Sequence, residues 1–200
     1  MTVWAVVPVK RFDRAKSRLA PVLDAASRER VARELFEHVA SVLAAPAVVD
    51  AVAIVTDSDK AAALAAARGA LALPDPEGAR TLADRVDFAL AEIARRGAAV
   101  AVVLMSDLPT LDPEDVRALV RDFGPGALRV APDERGHHTN ALALRLPPPF
   151  ATAFGDAESF RRHRERAEAA GLSTEIVRRP GLAFDVDTPE DYETLARLKR

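Results

Sequence analysis

The stretch VWAVVPVKRFDRAKSRLAP, residues 3–21, begins with an uninterrupted apolar run and ends in a basic loop. An apolar run without alternation is typical of a strand buried on both faces, as in a parallel sheet covered by helices. We therefore predict a strand over Val3–Val9. Comparable β-rich runs predict five more strands, at Val48–Thr56, Val100–Met105, Leu128–Pro132, Ala141–Leu146 and Thr174–Val177.

Longer segments with helical spacing of apolar residues lie between these strands. They predict helices over Ser27–Ala44, Ala61–Ala70 and Leu82–Arg96, and two more after the cap-and-proline pairs Asp112-Pro113 and Thr188-Pro189. Alternation of this kind is typical of the α/β class, with a mostly parallel central sheet flanked by helices. No long linker or repeat interrupts the pattern, so we expect a single domain over residues 1–200.

The composition excludes several kinds of function. The net charge of -2 argues against binding of nucleic acid or a membrane surface over a broad face. No apolar run is long enough to span a bilayer and no signal peptide is recognisable, so we expect a cytoplasmic protein. The absence of cysteine excludes thiolate metal sites and cysteine nucleophiles, which leaves hard cations bound by oxygen, or metals bound by histidine.

The loop after the first predicted strand concentrates positive charge in a chain that is nearly neutral overall. It contains five basic residues against the single acid Asp13: Lys10, Arg11, Arg14, Lys16 and Arg18. The chain has neither the G-x-x-x-x-G-K-[ST] loop nor the G-x-G-x-x-G fingerprint, which disfavours a P-loop NTPase and a standard Rossmann dehydrogenase. Cationic side chains of this loop could therefore bind a triphosphate in place of a glycine-rich cradle.

Three acidic residues form a candidate metal site. Asp107 lies two residues after the apolar strand at Val100–Met105, at the sheet edge where ligands of α/β proteins bind. Asp185 and Asp187 have the i, i+2 spacing that places two side chains on one face of an extended segment. Carboxylates on one face repel unless a cation compensates them, so the three residues predict a Mg2+ site. The alternative is that Asp107 caps a turn or a helix and that Asp187 caps the last helix.

Two further loops could contact an anionic ligand. The turn Gly136–Leu142 offers backbone N–H groups and the short polar side chains of Thr139 and Asn140. Its adjacent histidines, His137 and His138, favour an exposed or substrate-contacting role over a zinc site, because neighbouring loop residues rarely face the same way. The second loop, Phe154–Phe160, leads into a helix, and its Ser159 either helps to bind an anion at the helix start or only caps the helix.

Five motifs, in order along almost the whole chain, resemble one family. They are P-V-K followed by A-K-S-R-L-A-P, D-L-P-x-L-x-P-E-D, G-x-x-T-N-A-L, F-G…S-F-x-x-H and P-G-L-A-x-D-V-D-T-P-E-D. Together they resemble the guanylyltransferases of deazaflavin coenzyme F-420 biosynthesis, a branch of the molybdenum-cofactor-guanylyltransferase-like nucleotidyltransferases. The resemblance implies a Rossmann-like fold. It also implies transfer of GMP from GTP to 2-phospho-L-lactate, phosphoenolpyruvate or 3-phospho-D-glycerate, with release of pyrophosphate.

The resemblance also implies roles for individual residues. Three groups are assigned by matching the motifs: Lys10, Lys16 and Arg18 to the triphosphate; Asp107, Asp185 and Asp187 to Mg2+; and Thr139, Asn140, Gly155 and Ser159 to the phospho-acid. Asp107 and the three basic residues would act in catalysis and contact the nucleotide. Relatives carry a Gly-Leu-Asn-like turn near the base, whereas this chain has Gly78–Asp84; within this turn we assign Asp84 to nucleotide binding. The F-G…S spacing is also one residue longer than usual.

Other functions remain open from the sequence. A related nucleotidyltransferase could act on molybdopterin or a sugar phosphate, although the chain lacks the L-x-G-G-x-S-x-R-M-G loop of those relatives. The chain could also be a nucleotide-binding module that has lost catalysis, and a homodimer is among the assemblies that the sequence allows.

Overall fold

A computed structural model describes residues 1–198 and consists of a seven-stranded sheet with helices on both faces. The strand order is β3-β2-β1-β4-β6-β5-β7. The strands are β1 (Val3–Val9), β2 (Ala51–Thr56), β3 (Leu71–Pro74), β4 (Val100–Leu104), β5 (Ala127–Pro132), β6 (Thr139–Arg145) and β7 (Ser173–Ile176). Only β6 runs antiparallel to its neighbours, β4 and β5, so the sheet is mostly parallel, as predicted.

Seven helices accompany the strands in the described part of the chain. They are α1 (Ala25–Leu43), α2 (Asp59–Ala66), α3 (Leu82–Arg95), α4 (Pro113–Val120), α5 (Ser159–Ala169), α6 (Pro180–Ala183) and α7 (Pro189–Leu198). Side chains cap five of these helices at their N-termini, where backbone N–H groups lack helical partners: Asp24, Ser58, Thr81, Asp112 and Thr188. Two short 3-10 turns, Phe12–Arg14 and Ser17–Leu19, shape the basic loop after β1.

Alternate residues of β1 face two separate cores. Ala5 and Val7 pack in the core that includes Phe36 of α1, whereas Val6 lies in the core on the other face with Leu90 of α3. All three β1 residues are fully buried, which explains why the strand is a continuous apolar run. Among residues 1–198, no helix is both long enough and apolar enough to span a bilayer.

A third, smaller core positions the segments that carry the candidate site. It joins the basic loop, α1, the segment after α6, and α7, through Leu19, Val31, Leu35, Phe184, Val186 and Leu195. Because Phe184 and Val186 face this core, the residues that alternate with them, Asp185 and Asp187, are left free to face the neighbouring pocket.

The structure differs from the sequence predictions in three elements. Strand β3 was not predicted, since it has only four residues, ends in proline and pairs with β2 alone at the sheet edge. The short helix α6 was also missed. Asp185 and Asp187 lie outside any strand, although their carboxylates still converge, because the small core fixes the alternation without a sheet.

Candidate active site

Three loops meet at one edge of the sheet and bring the predicted acids together. Strands β1 and β4 are parallel neighbours, so the basic loop after β1 and Asp107 after β4 lie at the same edge. The backbone N–H of Val186 donates to the carbonyl oxygen of Asp107 at 3.3 Å, which ties the third loop to the second. As a result, one carboxylate oxygen from each of Asp107, Asp185 and Asp187 lies within 4.8 Å of the others.

The sequence left open whether Asp107 and Asp187 serve as helix caps, and in the structure neither side chain caps a helix. The cap of α4 is Asp112, which accepts from the backbone N–H of Asp115 at 2.9 Å. At α7 the carboxylate of Asp191 accepts from the N–H groups of Asp187 and Thr188, at 3.0 Å and 2.7 Å. The side chains of Asp107 and Asp187 are therefore available for the pocket.

Lys16 lies between two of the acids. Its Nζ donates to Asp107 Oδ2 at 2.6 Å and to Asp187 Oδ1 at 3.1 Å, and only 7% of its side chain is exposed. The backbone at Lys16 is left-handed, with φ of 54°, between the two 3-10 turns of the loop. Arg18 is far more exposed and its Nη1 lies 3.6 Å from Asp187 Oδ2, while Lys10 is exposed at the pocket wall.

The electrostatics of the three acids are uneven. Burial, reinforced by the charge of Asp107, raises the pKa of Asp185 to about 6, and the Nδ2 of Asn140 that donates to its Oδ1 at 3.2 Å opposes this only in part. Burial also opposes ionisation of Asp187, but the charge of Lys16 outweighs it and lowers the pKa of Asp187. For Lys16 itself, burial is outweighed by Asp107 and Asp187, so its pKa is raised and the ammonium stays charged.

The opposite side of the pocket is built from small and hydroxyl residues. The N–H of Thr139 donates to Ser159 Oγ at 2.9 Å, which joins the start of β6 to the start of α5. Gly155, with φ of 87°, packs so closely that an added Cβ would lie 3.1 Å from Cβ of Leu82. His163 contacts Thr139 Oγ1 through Nδ1 at 2.9 Å. His163 has no predicted role, although its spacing from Phe160 and Ala167 places it on the buried face of α5.

Ten of the eleven predicted site residues line one pocket of about 410 Å³, within the usual size range of small-molecule sites. They are Lys10, Lys16, Arg18, Asp107, Thr139, Asn140, Gly155, Ser159, Asp185 and Asp187. The remaining residue, Asp84, is placed outside the lining. Its carboxylate accepts from the N–H groups of Arg80 and Thr81, both at 2.9 Å, and completes the capping box of α3.

The histidine pair does not form a metal site with its neighbours in the described structure. His138 lines the pocket and its Nδ1 lies 3.4 Å from Asp133 Oδ2, whereas the carbonyl oxygen of His137 accepts from the N–H of Phe160. Among residues 1–198, the acids Asp107, Asp185 and Asp187 are the only group of three ligating side chains close enough to share an ion. Three carboxylates without sulfur or nitrogen ligands suit a hard cation such as Mg2+.

Comparison with known proteins assigns the chain to a family. The family model described as "Guanylyl transferase CofC like" matches residues 3–196. The chain belongs to this family. A phosphoenolpyruvate guanylyltransferase of Sphaerobacter thermophilus is 42% identical over 98% of this chain and 93% of its own length. A 3-phospho-D-glycerate guanylyltransferase of Phenylobacterium zucineum is 36% identical over 96% of this chain and 89% of its own.

The structural comparison supports the same fold. A protein of Desulfovibrio desulfuricans G20, assigned to the nucleotide-diphospho-sugar transferases, superposes with a TM-score of 0.82 at 20% identity, covering 100% of this chain and 89% of that one. The predicted Rossmann-like α/β fold and the resemblance that rested on five motifs are both confirmed. The CofC-like chain is accordingly an enzyme of the nucleotidyltransferase class.

Proposed function

We propose that this enzyme transfers GMP from GTP to phosphoenolpyruvate and releases pyrophosphate, as a step in coenzyme F-420 biosynthesis. The observation that carries the proposal is the union of three carboxylates and a buried lysine with a hydroxyl-lined wall in one pocket. The carboxylates and the lysine are suited to a cation and the phosphates of a nucleotide. The hydroxyl-lined wall is suited to a small anionic acceptor. The relative from Sphaerobacter thermophilus, named for phosphoenolpyruvate, favours that acid as acceptor.

The reaction needs alignment more than proton transfer. A phosphate oxygen of the acceptor, already ionised at neutral pH, attacks the α-phosphorus of GTP. A new P–O bond forms as the bond from the α-phosphorus to the bridging oxygen breaks, and that electron pair leaves on pyrophosphate. The pocket therefore has to hold two anions in line and compensate their charge, which is where fixed cationic groups contribute most to the rate.

The residues divide this work by position. Lys10 and Arg18, which are exposed and line the pocket, would bind the β- and γ-phosphates, and Lys16 supplies a buried positive charge beside the acids. Asp107, Asp185 and Asp187 would hold Mg2+, which when bound supplies charge neutralisation at the phosphates. Thr139, Gly155 and Ser159 line the wall assigned to the acceptor. Asn140 holds the Asp185 carboxylate through its amide.

The test is pyrophosphate release by the purified enzyme with Mg2+. GTP, CTP and ATP are each combined with phosphoenolpyruvate, 3-phospho-D-glycerate and 2-phospho-L-lactate, and the product, a nucleoside joined to the acid through a diphosphate, is identified by mass. We expect signal with GTP and phosphoenolpyruvate. A signal with only 3-phospho-D-glycerate would show that the acceptor is the acid for which the Phenylobacterium relative is named. Silence with all nine pairs would refute the proposed reaction.

A matched pair of variants tests the acid site. Asp107→Asn removes one carboxylate charge from the acid group and should lower turnover by roughly 100-fold or more while leaving the melting temperature within a few degrees. Asp122→Asn makes the same change at an exposed position outside the pocket lining and should keep full activity. Near-normal turnover by Asp107→Asn would contradict the assignment.

A further inference from the structure

His163 is completely buried, and its two ring nitrogens have different partners. Nε2 accepts a hydrogen bond from the backbone N–H of Ala153 at 2.9 Å, so Nε2 carries no hydrogen. A neutral imidazole then has its hydrogen on Nδ1, which lies 2.9 Å from Thr139 Oγ1, so Nδ1 is a donor and cannot accept from that hydroxyl. Burial, with the nearby charge of Arg166, lowers the pKa of His163 to about 4, which keeps the ring neutral in the physiological range.

This tautomer determines what the Thr139 hydroxyl can do. Because Nδ1 is a donor, the hydroxyl cannot donate to it and its own hydrogen must point elsewhere. Ser159 Oγ is in the same situation, since it accepts from the N–H of Thr139 at 2.9 Å. Within residues 1–198 neither hydroxyl donates a hydrogen bond, yet both residues line the pocket and are nearly fully buried. Two O–H donors are thus available at the same wall.

His163 also holds the adjoining loop. Ala153 lies two residues before Gly155, and Phe154 packs its ring on the imidazole with centroids 4.8 Å apart. One buried side chain thereby connects the loop that carries Gly155, the start of β6 at Thr139, and helix α5. It does not line the pocket, so it can act on a ligand only through its partners.

We propose that His163 is a positioning residue that fixes the Thr139 hydroxyl as a hydrogen-bond donor to an anionic oxygen of the acceptor acid. The inference rests on the proposed function. It adds a role for His163 in orienting the Thr139 hydroxyl. Because this hydroxyl cannot donate toward the protein interior, the direction of its hydrogen is set before the acid binds. A preset donor to an anion contributes more to affinity than one that must reorient.

The test separates the two substrates. Thr139→Val removes the hydroxyl and keeps the shape, His163→Leu removes both hydrogen bonds of the ring, and His163→Asn keeps a donor near the position of Nδ1. Thr152→Val is the matched control, because Thr152 is also a buried threonine but does not line the pocket. For each variant the KM for phosphoenolpyruvate, the KM for GTP, kcat and the melting temperature are measured.

We expect Thr139→Val and His163→Leu each to raise the KM for phosphoenolpyruvate about 10- to 100-fold, the range for loss of a hydrogen bond to a charged group. The KM for GTP should change by less than about twofold. In the Thr139→Val background, His163→Leu should add almost nothing, and His163→Asn should recover part of the loss. Calorimetric titration with phosphoenolpyruvate alone should show the same order of affinities.

Three results would overturn the inference. They are an unchanged KM for the acid in Thr139→Val, effects of the two substitutions that multiply in the double variant, or equal rises in both KM values. If His163→Leu does not fold, the KM values of Thr139→Val and His163→Asn still test the proposed role of His163. A wild-type enzyme that neither binds nor converts any of the three acids would instead refute the proposed function, which is a distinguishable outcome.

Discussion

Replacing Gly181 by alanine should destabilise the enzyme, because the position is enclosed by a buried acid. A Cβ added at Gly181 would lie 1.8 Å from Asp115 Oδ2 and 2.7 Å from the carbonyl oxygen of Thr110. Both distances are far below van der Waals contact. The backbone of α6 therefore approaches α4 in a way that only glycine permits, and either the Asp115 side chain or the helix must move.

The magnitude follows from what Asp115 does. This residue is 2% exposed, its Oδ2 accepts from the N–H of Asp112 at 3.0 Å, and its Oδ1 accepts from Arg179 Nε at 2.5 Å. Loss of the cap contact costs about 1 kcal/mol and disruption of a buried charged hydrogen bond about 1.5–3 kcal/mol. The sum, roughly 2.5–4 kcal/mol, corresponds to a fall in melting temperature of about 5–16 °C for a chain of this size.

Thermal and urea unfolding of the Gly181→Ala variant measure this loss. The matched control is Gly124→Ala, since a Cβ at Gly124 meets no atom within 4 Å and its backbone is not left-handed. The control should melt within about 2 °C of the wild type. A Gly181→Ala variant as stable as the control would refute the close approach of α6 to α4. If it folds, turnover should also fall, because α6 leads into the segment of Asp185.

Three other changes have defined outcomes. Lys16→Met should lower turnover by roughly 100-fold yet tighten Mn2+ binding measured by calorimetry without nucleotide, because the ammonium bound to Asp107 and Asp187 competes with a cation; unchanged Mn2+ affinity would contradict this. Thr152→Val should change the free energy of unfolding by less than about 1 kcal/mol, because within residues 1–198 the Thr152 hydroxyl makes no well-aligned hydrogen bond and lies near the Asp87 carboxylate, which already accepts from the Thr152 N–H; a larger loss in urea unfolding would contradict this. The pKa of His163 is lowered from 6.5 to about 4, so its contribution to stability is complete above pH 6.5 and is lost as the pH falls toward 4, at up to about 1.4 kcal/mol per pH unit; urea unfolding across this range should show a steeper fall for the wild type than for His163→Asn.

The sequence predicted those parts of the fold that depend on local pattern. Strand β1 has the predicted bounds, Val3–Val9, because a doubly buried strand is apolar at every position. The boundary of β2 was less accurate, since Val48 is buried without belonging to the strand and apolar character alone does not distinguish the two cases. Strand β3 was missed because it has only four residues, too few for a recognisable strand pattern, and it is defined by its pairing with β2.

The site shows the same division between local and long-range information. The acids were predicted to converge, and the structure brings them together, but the cause is the small core around Phe184 and Val186 rather than a strand. Asp84 illustrates the converse: Thr81 and Asp84 have the spacing of a capping box, so a local signal was present that the assignment to the nucleotide overlooked. The role of His163 depends on Thr139, 24 residues away, and no sequence spacing indicates such a contact.

The charge balance of the acid group explains why it is suited to a divalent cation. Three carboxylates face the single buried ammonium of Lys16, so two negative charges remain uncompensated when all are ionised. Arg18, 69% exposed, contributes little because solvent screens it. Asp185 is bound by the amide of Asn140, and burial, reinforced by the charge of Asp107, raises its pKa to about 6. A proton relieves only half of the excess, whereas a divalent cation acting together with Lys16 removes all of it. Uncompensated negative charge on converging carboxylates is what we expect of a group that binds a divalent cation.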